Sequence, residues 1–371
     1  MKMKLLTTVN LVLASVNLYA GGFQPGNLAV LRAGDGILDL KLKQSPVFVD
    51  EFSPGNVNPG PLFSIAIPTN GADTLFFNGH AATEGDLARS DDHLLLTFAG
   101  YGGVNLLQAK GTPSLTDIGR GFCSLDATGA SHTLIYPVRN TAEKLNPRGG
   151  VTDGTNNYWG CGNAFGTIYY NPTGSTGPVV FSSIPNSRAI RIINHVLYTT
   201  INGPDGIASD LHAGIYSFQD ESGAAPLPRS AGSRLKLVVA AKSSYAKIAG
   251  FDMNANGTIA YMADTDAGIQ KYIKADGTWK FEYNLSIPQN IPADENHESG
   301  CFGLVVDFSG TTPVIYATTT EGYNGCANSN RVVQVADTGP SSKVTTVAQA
   351  PNAKMVYRGI DFTPETKAAK P

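Results

Sequence analysis

The chain has 371 residues and a formal net charge of -3, with 15% charged residues, 41 glycines and 22 prolines. A near-neutral chain with no basic stripe excludes nucleic acid as a partner class, and many turn formers beside few charges favour short strands over exposed helices. The length suits two ordinary domains or one large closed β-architecture.

Residues 1–20 predict a secretory signal: Lys2 and Lys4, an apolar run from Leu5 to Leu18, then Ala20 before Gly21-Gly22. The run is too short for a comfortable membrane span. The remainder, 21–371, is expected to be one domain in the secretory pathway, secreted or lumenal, with no membrane association once the signal is removed. Strands are predicted over Asn27 to Arg32, Val47 to Phe52 and Leu62 to Ile67.

Seven apolar stretches then open on a recurrent pair of residues: Glu84-Gly85, Arg120-Gly121, Arg148-Gly149, Ser187-Arg188, Ala249-Gly250, Ser299-Gly300 and Arg358-Gly359. Several continue as a strand, an Asp-and-Gly turn and a second strand, as in GFDMNANGTIAYMAD and GLVVDFSGTTPVIYATTT. Repetition every 30 to 60 residues or so, with strand-type segments only, predicts an all-β, seven-bladed β-propeller. The clearest blade has strands at Ile248 to Asp252, Thr258 to Asp264, Gly268 to Ile273 and Trp279 to Ser286. Asn256-Gly257 and Asp276-Gly277 between them tolerate the positive φ of hairpin turns. The next blade reads Leu304 to Asp307, Val314 to Thr319, Arg331 to Ala336 and Lys343 to Val347; Leu235 to Ala241 is a further strand of open position. The last inner strand, Arg358 to Phe362, needs partners from the N-terminal strands, which would close the ring in one blade.

If each opening begins an innermost strand, Arg120, Arg148, Arg188 and Arg358 meet at one mouth of the channel, with Glu84, His297 and Glu298 on the same register. Guanidinium forks suit carboxylates, enolates and other delocalised oxyanions. A structural network in which Glu84 and Glu298 neutralise the arginines is the alternative. Phe122, Trp159, Phe251, Phe302 and Tyr357 lie near the openings and are expected to supply an apolar wall. Catalytic roles are assigned to Arg120, Arg148, Arg188, Glu84 and His297, and substrate binding to Arg358, Glu298 and the five aromatics.

Cys123, Cys161, Cys301 and Cys326 suit two disulfides in an oxidising lumen. Three pairings are open, and the blade register favours Cys123 with Cys161 and Cys301 with Cys326. No metal site is expected, since no cysteines have C-x-x-C spacing or histidine companions at ligand spacing. Asp252 to Gly257 matches half a calcium loop, but Ala263 stands where the bidentate carboxylate belongs, so a hairpin is the better reading. Asn256 and Asn284 begin N-x-[ST] triplets and are candidate glycosylation sites.

The strings NLAVLRAGDG, TEGDLARSDDHLLLTFAGY, DAGIQKY, YATTTEG and YRGIDFTP resemble a family of secreted microbial propeller proteins. More narrowly, the short signal, two cysteine pairs and stand-alone propeller resemble the fungal hetero-Diels-Alderases of tropolone-sesquiterpene biosynthesis. That resemblance implies joining a tropolone-derived o-quinone methide to a humulene-type sesquiterpene, on apolar and oxyanionic small-molecule substrates, without cofactor. Rival expectations are a non-catalytic ligand- or glycan-binding propeller and a polysaccharide lyase or hydrolase. The oligomeric state is open.

Overall fold

A computed structural model describes residues 21–40, 44–79, 81–102, 118–136, 146–163, 166–173, 179–182, 186–203, 211–290, 300–321 and 330–367. The proposed signal lies outside them. The described strands form six antiparallel sheets, and no helix occurs among the described residues.

The first sheet contains β1 (Leu28–Ala33), β2 (Val47–Phe52) and β3 (Phe63–Ala66), and the final strand β26 (Val356–Phe362) pairs with β1 on its inner side. The second contains β4 (Leu75–Phe76), β5 (Ala88–Arg89), β6 (Leu95–Gly102), β7 (Gly119–Asp126) and β8 (Ser131–Tyr136). The third runs from β9 (Asn146–Thr152) through β10 (Tyr158–Asn163) and β11 (Thr167–Tyr170) to β12 (Val179–Ser182). In the fourth, β13 (Ser187–Ile193), β14 (Val196–Ile201) and β15 (Gly214–Asp220) are followed by β16 (Gly223–Ala224) and β17 (Arg234–Ala240), both paired with β15. The fifth is the meander β18 (Ile248–Met253), β19 (Ile259–Asp264), β20 (Gly268–Ala275) and β21 (Thr278–Leu285). The sixth is β22 (Cys301–Asp307), β23 (Val314–Thr319), β24 (Arg331–Ala336) and β25 (Val344–Gln349).

Turn chemistry explains the hairpins. Asp276 and Gly277 both have positive φ (52° and 77°) between β20 and β21, as a type I′ turn requires. Asn194 and His195 do the same without glycine (51° and 60°) between β13 and β14. Their side chains are held there by Ala255 O and by Asp91, respectively.

Alternating strand residues enter six principal hydrophobic cores, each filled chiefly from two neighbouring sheets, with Ala88 of the second sheet reaching the core between the third and fourth. An open stack of six sheets has five gaps, whereas a ring has six, so the sheets are the blades of a β-propeller. At the centre the inner strands touch backbone to backbone. A Cβ on Gly303 would lie 2.6 Å from Arg358 O, and one on Gly359 would lie 2.3 Å from Leu87 N.

The expectation of seven blades is corrected to six. Arg120-Gly121 lies in β7, hydrogen-bonded on one side to β6 and on the other to β8. It therefore shares a blade with Glu84-Gly85 and opens none of its own; its glycine serves flat pairing opposite Gly100.

The expected Cys123–Cys161 disulfide is also corrected. Both are free, fully buried thiols pointing into different inter-blade cores, and Phe122 packs against Gly150 and Gly160 of the neighbouring blade. Cys301 is a buried thiol in a third core, and Cys326 lies outside the described residues. Asn256 sits in the exposed β18–β19 turn, where it accepts from Thr258 Oγ1. Asn284 is half-buried, with its amide donating to Ala267 O at 2.6 Å.

Candidate functional site

The six inner strands run the same way along the ring axis, so their first residues gather at one mouth and their last at the other. In the second blade the inner strand is split. β4 and β5 both pair with β6, and the insertion between them carries Glu84 and Asp86 on the described residues 81–87. Gly85 (φ 92°) supplies the left-handed turn that an L residue resists. The insertion is stitched to both neighbouring blades: Gly359 N donates to Gly85 O at 2.7 Å, and Gly85 N and Asp86 N donate to Arg148 O at 3.1 and 2.8 Å.

Glu84 is 2% exposed. Its carboxylate accepts Asn78 N and the Tyr101 hydroxyl, each at 2.9 Å. Burial pushes its pKa up to about 7, against the pull of those two bonds and of the Arg358 and Arg148 charges. Arg120 lies with its guanidinium 5.0 Å from the Tyr101 ring centre and donates to Ile118 O. Arg358 donates to Ala81 O at 2.5 Å and Gly79 O at 3.4 Å, holding the insertion. Arg148 and Arg188 both donate to Asn186 Oδ1, at 2.6 and 3.3 Å. Of these four arginines, from four blades, Arg358 and Arg148 act by their charge on the Glu84 carboxyl, Arg120 lies against its hydrogen-bond partner Tyr101, and Arg188 is reached only through the Asn186 amide it shares with Arg148. His297 and Glu298 lie outside the described residues.

The aromatics are placed differently from expectation. Phe122 stacks on Tyr158 between the second and third blades. Trp159 is fully buried between the third and fourth, its Nε1 donating to Pro228 O at 2.7 Å. Phe251 and Tyr357 fill two further inter-blade cores. Only Phe302 lies beside the insertion, packed with Ala249 and Ala82. Phe122 in β7 and Trp159 in β10 are not on inner strands at all, while Phe251 and Tyr357 take the core side of theirs, so the expected five-residue apolar wall is not formed.

Farther along the axis lies a polar cluster absent from the sequence reading. Arg191 is 5% exposed and donates from Nη1 to Asp361 Oδ2 at 2.6 Å, and from Nη2 to Leu87 O, Leu304 O and Ile360 O at 3.0 to 3.2 Å. One side chain therefore ties four blades together. Arg89 Nε meets the other oxygen of Asp361 at 3.0 Å. Burial would raise Asp361, but Arg191 and Arg89 hold it below the usual carboxylate range. Burial wins at Asp86, pushed up to about 7 despite Arg191 and the Ile190 N–H. It also wins at Asp252, pushed up to about 6 despite Arg191 and the Val306 N–H.

A cavity of 310 Å³ opens beyond this cluster at the far mouth, with Arg89, Arg191, Asp252 and Asp361 on its polar side and Val306 and Phe308 on its apolar side. A signal for the cluster exists in the sequence. LAR, AIR, GFD and GID each place a charge two residues after the axial position, at Arg89, Arg191, Asp252 and Asp361.

No protein family profile matches the chain, and no curated protein matches it. Among solved structures it is similar to a provisionally assigned 6-phosphogluconolactonase of Bacteroides uniformis, at 13% identity over 88% of this chain and 83% of that one, TM-score 0.41. It is also similar to AztD of Citrobacter koseri, at 11% identity over 88% of this chain and 71% of that one, TM-score 0.35. Likeness this remote says nothing about activity, and the six sheets themselves carry the propeller assignment.

Proposed function

We propose that the protein is a small-molecule enzyme working at the mouth where its inner strands begin, on a flat oxyanionic substrate, and that its reaction is an intermolecular hetero-Diels-Alder coupling. The observation that carries this reading is Glu84, a carboxyl whose pKa lies near 7 under the charges of Arg358 and Arg148, with Arg120 against its partner Tyr101 and Arg188 sharing Asn186 with Arg148. Such a group exchanges protons readily at neutral pH, and guanidinium donors stabilise negative charge building on oxygen. A hydroxymethyl tropolone becomes an o-quinone methide by giving its acidic proton to Glu84 and losing hydroxide, which leaves as water on taking that proton back. The cycloaddition to the alkene then moves no proton and gains chiefly from orientation.

The test is product formation from a hydroxymethyl tropolone and humulene, with folding checked by circular dichroism. Arg148→Ala, Arg120→Ala and Arg188→Ala are each expected to cost about 100-fold or more, as removal of an oxyanion donor does elsewhere. Wild-type rate is expected to follow a titration near pH 7 that Glu84→Gln abolishes. Full activity in all three arginine variants rejects the assignment. A binding stoichiometry well above one would instead favour a non-catalytic glycan-binding propeller.

A further inference from the structure

The cavity at the opposite mouth is independent of the arginine-rich end, and its charges are not balanced. Asp361 takes both guanidinium groups that reach it, Arg191 at 2.6 Å and Arg89 at 3.0 Å. At the rim Asp91 is taken by His195, and His93 lies 3.4 Å from Glu365. Asp252 is left over. Its Oδ1 and Oδ2 accept only backbone N–H groups, from Met253 at 2.8 Å and Val306 at 2.9 Å, and among the described residues no cation stands within ion-pair distance of it. Together with Asp86, three carboxyls face two arginines across the axis. A carboxylate half out of water without a cation is costly, and the wall beside it, from Met253, Val305, Val306 and Phe308, is apolar.

We propose that this cavity is a second binding site, taking a small organic ammonium ion with its charge against Asp252 and its apolar body against Phe308 and Val306. The volume, 310 Å³, lies at the lower end of the range for small-molecule sites, about 300 to 1,000 Å³. An anion would instead meet Asp252, Asp361 and Asp91 while finding Arg191 and Arg89 already engaged.

Three probes of one shape separate the possibilities: phenethylamine, 2-phenylethanol and phenylacetate, titrated into the whole protein by calorimetry, with methyl spectra of methionine-labelled protein to locate binding at Met253. Phenethylamine is expected to bind at least about tenfold more tightly than the alcohol and to shift the Met253 methyl, and phenylacetate is expected not to bind. Affinity for the amine should fall as pH drops through about 6, where Asp252 takes up a proton. Arg191, Arg89, Asp361, Asp86, Asp91, His93 and His195 are the other charged or titratable groups facing this space. Asp252→Asn should erase the preference for the amine. Should that variant not fold, Phe308→Ala replaces it, with weaker amine binding expected. Equal binding of amine and alcohol, preference for phenylacetate, or amine binding without a shift at Met253 would each overturn the proposal.

Discussion

Asp86 shows how one carboxyl couples the axis to pH. Its folded pKa of about 7 lies above the ordinary aspartate value of about 3.9. The native chain therefore keeps a proton that the unfolded chain has released, and stability from this group is full below about pH 4 and lost as pH rises through about 7. Glu84 and Asp252 act in the same sense. Asp361, held low, acts oppositely and matters only in acid. The urea midpoint of the wild type is thus expected to fall between pH 5 and pH 8, by up to a few kcal/mol in stability, and Asp86→Asn should flatten that fall. An unchanged slope in Asp86→Asn would exclude Asp86 as its source. The cysteines make a second prediction at this scale. Burial pushes Cys123 up to about 12 and raises Cys161 and Cys301 as well, so alkylation mapped on peptides should miss all three in the native chain and reach them in denaturant. Their separate cores could not be read from spacing, because which face a strand residue takes depends on register against a neighbour far away in sequence.

At the scale of the strand, local chemistry carries far. The meander predicted from Ile248 to Ser286 appears as β18 to β21 over 248–285, and the next from Leu304 to Val347 appears as β22 to β25 over 301–349. Asn-Gly and Asp-Gly turns separate strands whose residues alternate, and both signals are local. The split inner strand of the second blade was not legible, since its halves are only two residues each. The miscounted blade has another source: an arginine-glycine pair that opens inner strands elsewhere also occurs in β7, between β6 and β8 of the same sheet, and the pair alone does not tell an inner strand from an outer one. The close approach of inner strands is testable through Gly303→Ala. Its Cβ would stand 2.6 Å from a backbone oxygen, which must shift, so a loss of about 1 to 3 kcal/mol is expected in urea unfolding. Gly257→Ala, in open space, should cost less, through its positive φ alone.

For the whole molecule, Arg191 is the axial tie. It joins the fourth blade to carbonyls of the second, sixth and first and is paired with Asp361. Arg191→Leu would leave buried carbonyls without donors and Asp361 with Arg89 alone, and is expected to cost about 3 to 5 kcal/mol. Calorimetry that found no loss would show the tie to be idle. The sequence by itself determined the strand-and-turn grammar, the repeat and therefore the propeller, because those follow from the local preferences of glycine, asparagine and alternating apolar residues. The number of blades, the core or channel direction of each aromatic, the state of the thiols and the axial charge cluster were decided only by tertiary structure. Each depends on which inner strands lie side by side around a ring, and burial against residues more than a hundred positions away sets both the packing and the pKa values there.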